Sequence, residues 1–343
     1  MNFDADVLVA GGGPAGLATA LLARRAGLSV VVAEPRTGPV DKACGEGLMP
    51  GGLTRLLALG VDPAGVPFHG IAYRAGSRSA QARFAAGPGR GVRRTTLHAA
   101  LRDRAGQAGV SWVAERVGQV RQDAHGVTAA GVRARWLVGA DGLHSRVRRE
   151  SGIASAAGRP ARFGQRRHYT VAPWSDLVEV WWSAHAEAYV TPVAPDLVGV
   201  AVLHRRAGHG YDRLLDGFPE LRERLGGAVA GPVRGAGPLR RTVGARVAGR
   251  VLLVGDAAGY EDALTGEGVS LALDQAEAAV AALTGGDLAG YEAQWRRRTR
   301  TYRLLTRGLV LLTAARPVRA AVVPLCAAVP PLFRGAVNTL AGG

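Results

Sequence analysis

The turn Gly11-Gly12-Gly13-Pro14-Ala15-Gly16 constrains this chain more than any other stretch. The apolar run ADVLVA at 5–10 precedes it and reads as a buried strand. Residues 15–26 have helical character, and LSVVVAE then reads as a second strand ending at Glu34. Strand, glycine turn, helix and strand, with glycines at 11, 13 and 16, make a dinucleotide-binding unit. Gly11 permits the turn, Gly13 lets backbone approach a pyrophosphate, and Gly16 lets helix and strand pack closely. Pro14 and Ala15 lie at the helix start, whose free N–H groups and partial positive charge suit that pyrophosphate. Glu34 can accept from both hydroxyls of a ribose, and its charge speaks against a 2′-phosphorylated one. Pro35 and Arg36 follow it into the same site.

The glycine fingerprint does not separate FAD from NAD, but later segments bear on the choice. RARWLVG at 133–139 reads as a strand leading into Ala140-Asp141-Gly142. GRVLLV at 249–254 reads as another, leading into Gly255-Asp256-Ala257-Ala258-Gly259. The stretch after Gly266-Glu267-Gly268 is helical, and its amino end again presents backbone donors. An acid at a strand end can hold a polyol or ribose hydroxyl, and a helix end can hold an electron-rich pyrimidine edge. The chain therefore returns to its nucleotide unit far from its start, as a long extended cofactor requires.

Composition removes other classes. A chain of 343 residues that is 48% hydrophobic builds a sizeable core and is not disordered. Cys44 and Cys326, far apart, exclude a disulfide framework and a clustered thiolate zinc site, and no metal is expected. The start, MNFDADVLVAGGG, lacks the basic region of a secretory signal. No uninterrupted apolar run reaches the ~18–20 residues of a spanning helix. The expectation is a cytoplasmic protein, monomeric or homodimeric, with membrane association left open. The formal charge is +16, and all basic residues but Lys42 are arginine. They are scattered rather than gathered in an aromatic-laced patch, so nucleic acid is not expected. An anionic substrate, cofactor or lipid surface fits the charge better.

A second unit follows from strand-like pieces. Residues 68–85 read as two short strands around a Gly-Ser turn. RHYTVA, LVEVWWS, EAYVTPVAP and LVGVAVLH lie between 166 and 206, separated by proline and aspartate turns. Together they predict an antiparallel sheet built from two insertions, its inner face a wall that holds an apolar substrate and excludes water. Trp174, Trp181, Trp182 and Tyr189 belong to its core or wall. Residues 211–226 and 286–305 read as helices. The apolar tail, 308–341, carries Pro317, Pro324, Pro330 and Pro331, which exclude one long helix. Short helices there either cap the substrate cavity, the preferred reading, or lay an apolar side with Arg303, Arg307, Arg316 and Arg319 on a membrane surface. The fold class is α/β: a Rossmann-type cofactor domain (1–67, 86–165 and 246–284), an inserted mainly antiparallel β-sheet substrate domain (68–85 and 166–245), and a C-terminal helical cap (285–343).

Four blocks carry a resemblance: GGGPAG at 11–16 with Glu34, CGEGLMPGG at 44–52, GADGLHSRVRR at 139–149 and GDAAGYEDALTGEG at 255–268. In them the chain resembles the geranylgeranyl reductase-like and aromatic-hydroxylase-like flavoproteins, relatives of the class A flavin monooxygenases with a glutathione-reductase-type FAD fold. The resemblance covers about residues 5–285 and implies FAD as cofactor. It implies Gly11, Gly13 and Gly16 at the diphosphate and Glu34 at the adenosine ribose. Arg94, in R-x-x-L with Leu97, would lie near the diphosphate and ribityl chain, as would Asp256. Gly255 belongs to the Asp256 turn, Gly266 and Gly268 would line the isoalloxazine, and Asp141 supports FAD or a purely local role. Cys44 matches a family cysteine near flavin and substrate, and can act as a proton donor or be merely structural. Glu46 either fixes its loop or donates a proton. Tyr189, with Pro192, matches an aromatic–proline position facing the flavin, and stands beside Cys44 as a candidate acid. Lys42 has a counterpart in flavin-dependent halogenases, whose Trp-x-Trp signature is absent here.

Only one nucleotide unit is visible, so NAD(P)H is expected as a transient electron donor. The leading expectation is a FAD-dependent monooxygenase that uses NAD(P)H and O2 on an aromatic, polyketide-like or otherwise hydrophobic small molecule. The alternative is a FAD-dependent reductase of isoprenoid or other C=C bonds, toward which the LTGEG sequence and the glycine-rich cysteine loop lean.

Overall fold

The structure, a computed structural model, describes residues 2–205 and 207–342. Within them the chain forms the expected α/β fold: a mixed nucleotide sheet, an inserted, mostly antiparallel second sheet and a C-terminal run of helices. Five strands of the nucleotide sheet run parallel in the spatial order Val251–Leu253, Val132–Gly139, Ala5–Ala10, Val30–Ala33 and Ser111–Val113. Ala5–Ala10 and Val30–Ala33 are buried almost throughout. Their continuous Val, Ala and Leu runs suit a parallel sheet covered on both faces. Helix Pro14–Arg25 packs on helices Arg94–Gln107 and Gly268–Gly285. The start of the chain and the region around 255 are thereby neighbours: a Cβ on Gly255 would stand 2.7 Å from that of Ala15.

The second sheet has seven strands in the order Val229–Ala236, Phe163–Tyr169, Leu197–His204, Ala186–Ala194, Val178–Trp182, Gly70–Ala75 and Arg78–Arg83. The early hairpin joins it through a parallel pairing with Val178–Trp182. Alternation sorts the two faces. Trp181, Val190, Val200 and Val202 bury against Leu214, Phe218 and Leu221 of two short helices, Tyr211–Leu215 and Pro219–Leu225, and the turn between them. The other face turns toward the nucleotide unit, and on it Tyr73, Val180, Tyr189, Ala201 and Arg166 stand in register across five strands.

The tail folds as three helices, Leu288–Leu312, Arg316–Ala328 and Pro330–Leu340. The first runs past the expected end near 305 because no proline interrupts it before Pro317. Pro317, Pro330 and Pro331 occupy first turns, where no intrahelical N–H is lost. Val323, Phe333 and Val337 bury against the second sheet, so this face of the tail caps the molecule.

A four-membered charge cluster fastens the cap. Glu187 accepts from Arg162 at 3.0 Å and from Arg319 of the tail at 2.6 Å, and Arg162 pairs with Asp262 at 2.8 Å. All four side chains are almost wholly buried. Two guanidiniums balance two carboxylates, and burial is tolerable only while that balance holds. Replacing Glu187 by Ala should therefore lower unfolding free energy by about 3–5 kcal/mol. Denaturant titration of the variant checks this, and a loss under about 1 kcal/mol, the scale of an exposed pair, would contradict it.

Candidate active site

A cavity of about 1090 Å³ lies between the two sheets. From the predicted cofactor set it is lined by Gly11, Gly13, Pro14, Ala15, Glu34, Pro35, Arg36, Arg94, Asp141, Gly255, Asp256, Gly266 and Gly268. The three predicted catalytic residues, Cys44, Glu46 and Tyr189, line the same space. Gly16 stands behind the turn. A Cβ there would be 1.9 Å from the Gly11 carbonyl oxygen, which is the close packing expected of the third glycine.

The glycine turn forms a cradle. Gly11 has φ +105° and backs onto Ala140. A Cβ on Gly13 would meet no atom within 4 Å and would project into the cavity. Helix Pro14–Arg25 has no side-chain cap and no acid in its first turn, so its amino end is left for an anion. Arg94 is buried, lines the cavity, and its Nη1 has no hydrogen-bond partner. Asp141 caps the turn before helix Arg146–Glu150 through Oδ2, which accepts from the Arg146 and Val147 N–H groups. Its buried Oδ1 is unpartnered. A free helix end, an unpaired guanidinium nitrogen and a missing side chain at Gly13 fit a dinucleotide diphosphate.

Glu34 shapes the neighbouring end. Its carboxylate accepts from the Gly12 N–H at 2.9 Å and from the Arg36 guanidinium at 2.7 and 2.9 Å. Burial works to raise its pKa, but the hydrogen bonds from Arg36 and Gly12 outweigh it and leave the pKa below the ordinary range. The group is anionic at neutral pH. His98 supports the turn from behind: its Nε2 lies 2.9 Å from the Gly12 carbonyl oxygen. Burial first, then the charge of Arg94, holds its pKa down at about 4, so the imidazole is neutral. Asp256 lies half-buried on the wall. Burial raises its pKa, with Lys42 and Arg94 opposing. Arg148 ties the Asp141 segment to this turn, donating to the carbonyls of Ala257 and Leu143.

The cysteine loop is clamped between the two sheets. Glu46 has φ +60°, unusual for a residue with a side chain, and is buried. Its Oε1 accepts from the Arg94 N–H at 2.8 Å, and its Oε2 is 2.7 Å from His168 Nε2. Arg166 donates to His168 Nδ1 at 3.0 Å and also pairs with Asp41. Because a guanidinium can only donate, Nδ1 is the acceptor and Nε2 carries the proton given to Glu46. Thr191 of the second sheet donates to the Gly45 carbonyl at 2.8 Å. Cys44 is half-buried, and its sulfur accepts from the Glu46 N–H at 3.4 Å. Burial pushes its thiol pKa up, the Glu46 charge adds to this, and Arg94 partly offsets it. The thiol therefore carries its proton at neutral pH.

Tyr189 lines the cavity, but its hydroxyl donates to the Leu264 carbonyl at 2.8 Å. Burial holds its pKa well above 10. Trp174, Trp181 and Trp182 do not line the cavity; Trp181 faces the short helices and Trp182 the tail. Sequence reading missed Asp41, Arg166, His168 and Thr191. Arg166 and His168 share a strand face at a spacing of two, the one signal that could have paired them.

Residues 4–201 match a family model described as FAD binding domain. The chain belongs to this FAD-binding family. It is a FAD-dependent oxidoreductase, and the fit described above is a fit to FAD. A menaquinone reductase of Mycolicibacterium smegmatis is 30% identical over 332 residues, covering 86% of this chain and 80% of that protein. Digeranylgeranylglycerophospholipid reductase 1 of Methanococcoides burtonii is 28% identical over 337 residues, covering 85% and 79%. Among solved structures, the flavin-dependent brominase Bmp2 is 20% identical over 98% of this chain and 93% of that one, with a TM-score of 0.81. At that identity the likeness is one of fold.

The two glycines should separate under substitution. Gly13→Val should leave the melting temperature of the cofactor-free protein within about 2 °C of the parent while raising the FAD dissociation constant at least tenfold. Gly16→Ala should destabilise the cofactor-free protein itself. Fluorescence titration and thermal melting read both, and equal effects of the two changes would contradict the cradle. Glu267, at the start of helix Gly268–Gly285, gives a pH test. Burial pushes its pKa up to about 7, with Thr265 opposing and Asp274 adding. Its folded pKa exceeds the unfolded value near 4.5, so its contribution is fully present below about pH 4.5 and lost as pH rises through 7. Relative to the parent, Glu267→Gln should melt roughly 2 °C or more higher at pH 8 than at pH 4.

Proposed function

We propose that this protein reduces carbon–carbon double bonds in the isoprenoid chain of a lipid-like substrate, with NAD(P)H as transient electron donor. The observation that carries this reading is the placement of Cys44. Its loop is hydrogen-bonded on one side to the Arg94 helix of the nucleotide unit and on the other to the second sheet. Its protonated sulfur thus stands where a cofactor held by the first unit meets a substrate held against the second. That substrate wall is apolar: Met49, Phe68, Ile71, Val178, Leu203 and Leu264 all line the cavity. The names of the two curated relatives support reduction rather than the hydroxylation expected first, since both named compounds carry isoprenoid chains.

Bound FAD supplies the hydride. The residues of this chain supply everything else. Gly11, Gly13 and the helix end behind them receive the diphosphate, with Arg94 neutralising its charge. The apolar wall orients the chain and excludes water. Cys44 gives the proton from Sγ to the carbon left electron-rich, and solvent returns one to the thiolate. Glu46 holds the loop through both carboxylate oxygens, and burial, with the Glu46 charge adding, keeps that thiol protonated. Tyr189 fixes the 263–266 turn through the Leu264 carbonyl, which places Gly266 and Gly268 against the cofactor.

Anaerobic incubation of the holoenzyme with NADPH and a menaquinone, followed by reoxidation of the quinone ring in air, should give a product still two mass units heavier. A product sixteen units heavier, formed only with O2, would overturn the proposal in favour of hydroxylation. Cys44→Ala should lower double-bond reduction roughly 10²–10³-fold, the scale of a general acid. Bleaching of the flavin by NADPH should stay within twofold of the parent, and full turnover without the thiol would remove Cys44 from the chemistry.

A further inference from the structure

The C-terminal helices have a second face. Among the described residues, ten large apolar side chains are exposed, and eight of them lie between 304 and 332. Leu304, Leu305, Leu311 and Leu312 repeat at a spacing of seven, which puts them along one side of helix Leu288–Leu312. Val318 and Leu325 repeat the spacing on helix Arg316–Ala328, and Leu332, the most exposed of all at 65%, opens the last helix. The opposite faces of these helices, with Val310, Val323, Phe333 and Val337, form the cap. A surface of this kind on an otherwise polar protein marks an interaction site.

Charge says what covers it. From residue 293 to the end of the chain the sequence holds nine arginines and no aspartate or glutamate. Arg300, Arg307, Arg316 and Arg334 are exposed among the apolar side chains. Arg319 is not available, being buried on Glu187. Exposed leucines ringed by arginines, with no carboxylate, match an anionic bilayer surface, where the apolar side enters the headgroup boundary and the cations meet phosphate. No single described helix is long and apolar enough to cross a membrane, and the first two tail helices diverge by 118°. Because the inner faces of these helices are buried in the cap, their exposed face suits lying on a bilayer surface.

The same helices reach the cavity. Val337 and Leu340 of the last helix line it, beside Met49, Phe68, Ile71 and Tyr73. We infer that the outer face of the tail docks the protein on an anionic lipid bilayer, so that an isoprenoid chain passes from the membrane under the last helix into the apolar part of the cavity. The delivery of a prenyl chain rests on the function proposed above; the docking does not.

Flotation of the FAD-loaded full chain with phosphatidylglycerol-containing vesicles and with pure phosphatidylcholine vesicles tests this. Binding is expected at least tenfold tighter to the anionic vesicles and weakened by salt. Leu311→Glu/Leu325→Glu and, separately, Arg307→Glu/Arg316→Glu should each reduce binding at least tenfold while leaving FAD affinity and melting temperature unchanged. Turnover of a detergent-dispersed short-chain substrate should also survive, whereas turnover of vesicle-embedded substrate should fall with binding. Absence of parent binding to anionic vesicles at low salt would overturn the docking. So would unchanged binding by both pairs of substitutions, or a stable dimer that Leu311→Glu/Leu325→Glu dissociates. Intact vesicle binding with no double-bond reduction of any substrate would instead remove the proposed function and leave the docking standing.

Discussion

The site is organised around one almost wholly buried carboxylate. Glu46 receives a backbone N–H from the first turn of the Arg94 helix and a ring N–H from His168 on the second sheet, so two separately built units are joined through a single side chain. The backbone there adopts φ +60°, a conformation costing about 1–3 kcal/mol for a residue with a Cβ. It persists because both oxygens are held. The facing strand makes room as well: a side chain at Gly199 would begin 2.6 Å from Glu46 Oε2. Arg166 and Asp41 then fix the imidazole, and Asp41 also pairs with Arg234 at 2.9 Å. The cysteine loop is thus placed mainly by contacts that lead to the same pair of oxygens, with Thr191 adding one at the Gly45 carbonyl.

What the sequence made legible was governed by local spacing. The glycine turn, Glu34 and the 139–149 and 255–268 blocks could be read because backbone geometry over a few residues dictates them. The cavity then gathers these blocks as a long cofactor requires. The strand pieces of the second sheet were legible for the same reason, whereas the inward position of Tyr189 was implied by the resemblance and not by the pattern. The Glu46–His168–Arg166–Asp41 chain was not legible, because its members come from distant segments and meet only after two sheets have packed. His98 was hidden differently: it follows Leu97 on a helix face with Leu101 and Ala105, and nothing in that pattern marks a ring that supports a carbonyl. The tail posed an either/or question, cap or membrane surface. The helices carry a buried face and an exposed one, so the two readings concern different side chains.

The arginine excess has a structural consequence. A guanidinium does not lose its proton in a protein and can bridge several acceptors, so it keeps its role when buried. Arg148 links two carbonyls across the cofactor turns, Arg162 joins Glu187 to Asp262, and Arg246 lies 3.7 Å over the Trp295 ring while bonding Glu292. These arginines are therefore internal and already paired. The charge open to partners includes the unpaired Arg94 nitrogen in the cavity, the single lysine, Lys42, on its wall, and the exposed arginines of the tail.

Proton supply follows from the same accounting. A group that donates must hold a proton and have an unoccupied direction in which to give it. Glu46 meets neither condition, since both oxygens accept and its neighbours are donors. Tyr189 holds a proton but has committed it to the Leu264 carbonyl. Cys44 differs on both counts: its sulfur accepts only a long contact from the Glu46 N–H, which leaves the S–H free to point into the cavity. Burial, with the anion behind it adding, keeps the thiol protonated, the form the proposed general acid needs and not that of a nucleophile. In the proposed reduction the two residues of this short loop divide the work, Glu46 setting position and Cys44 carrying the proton.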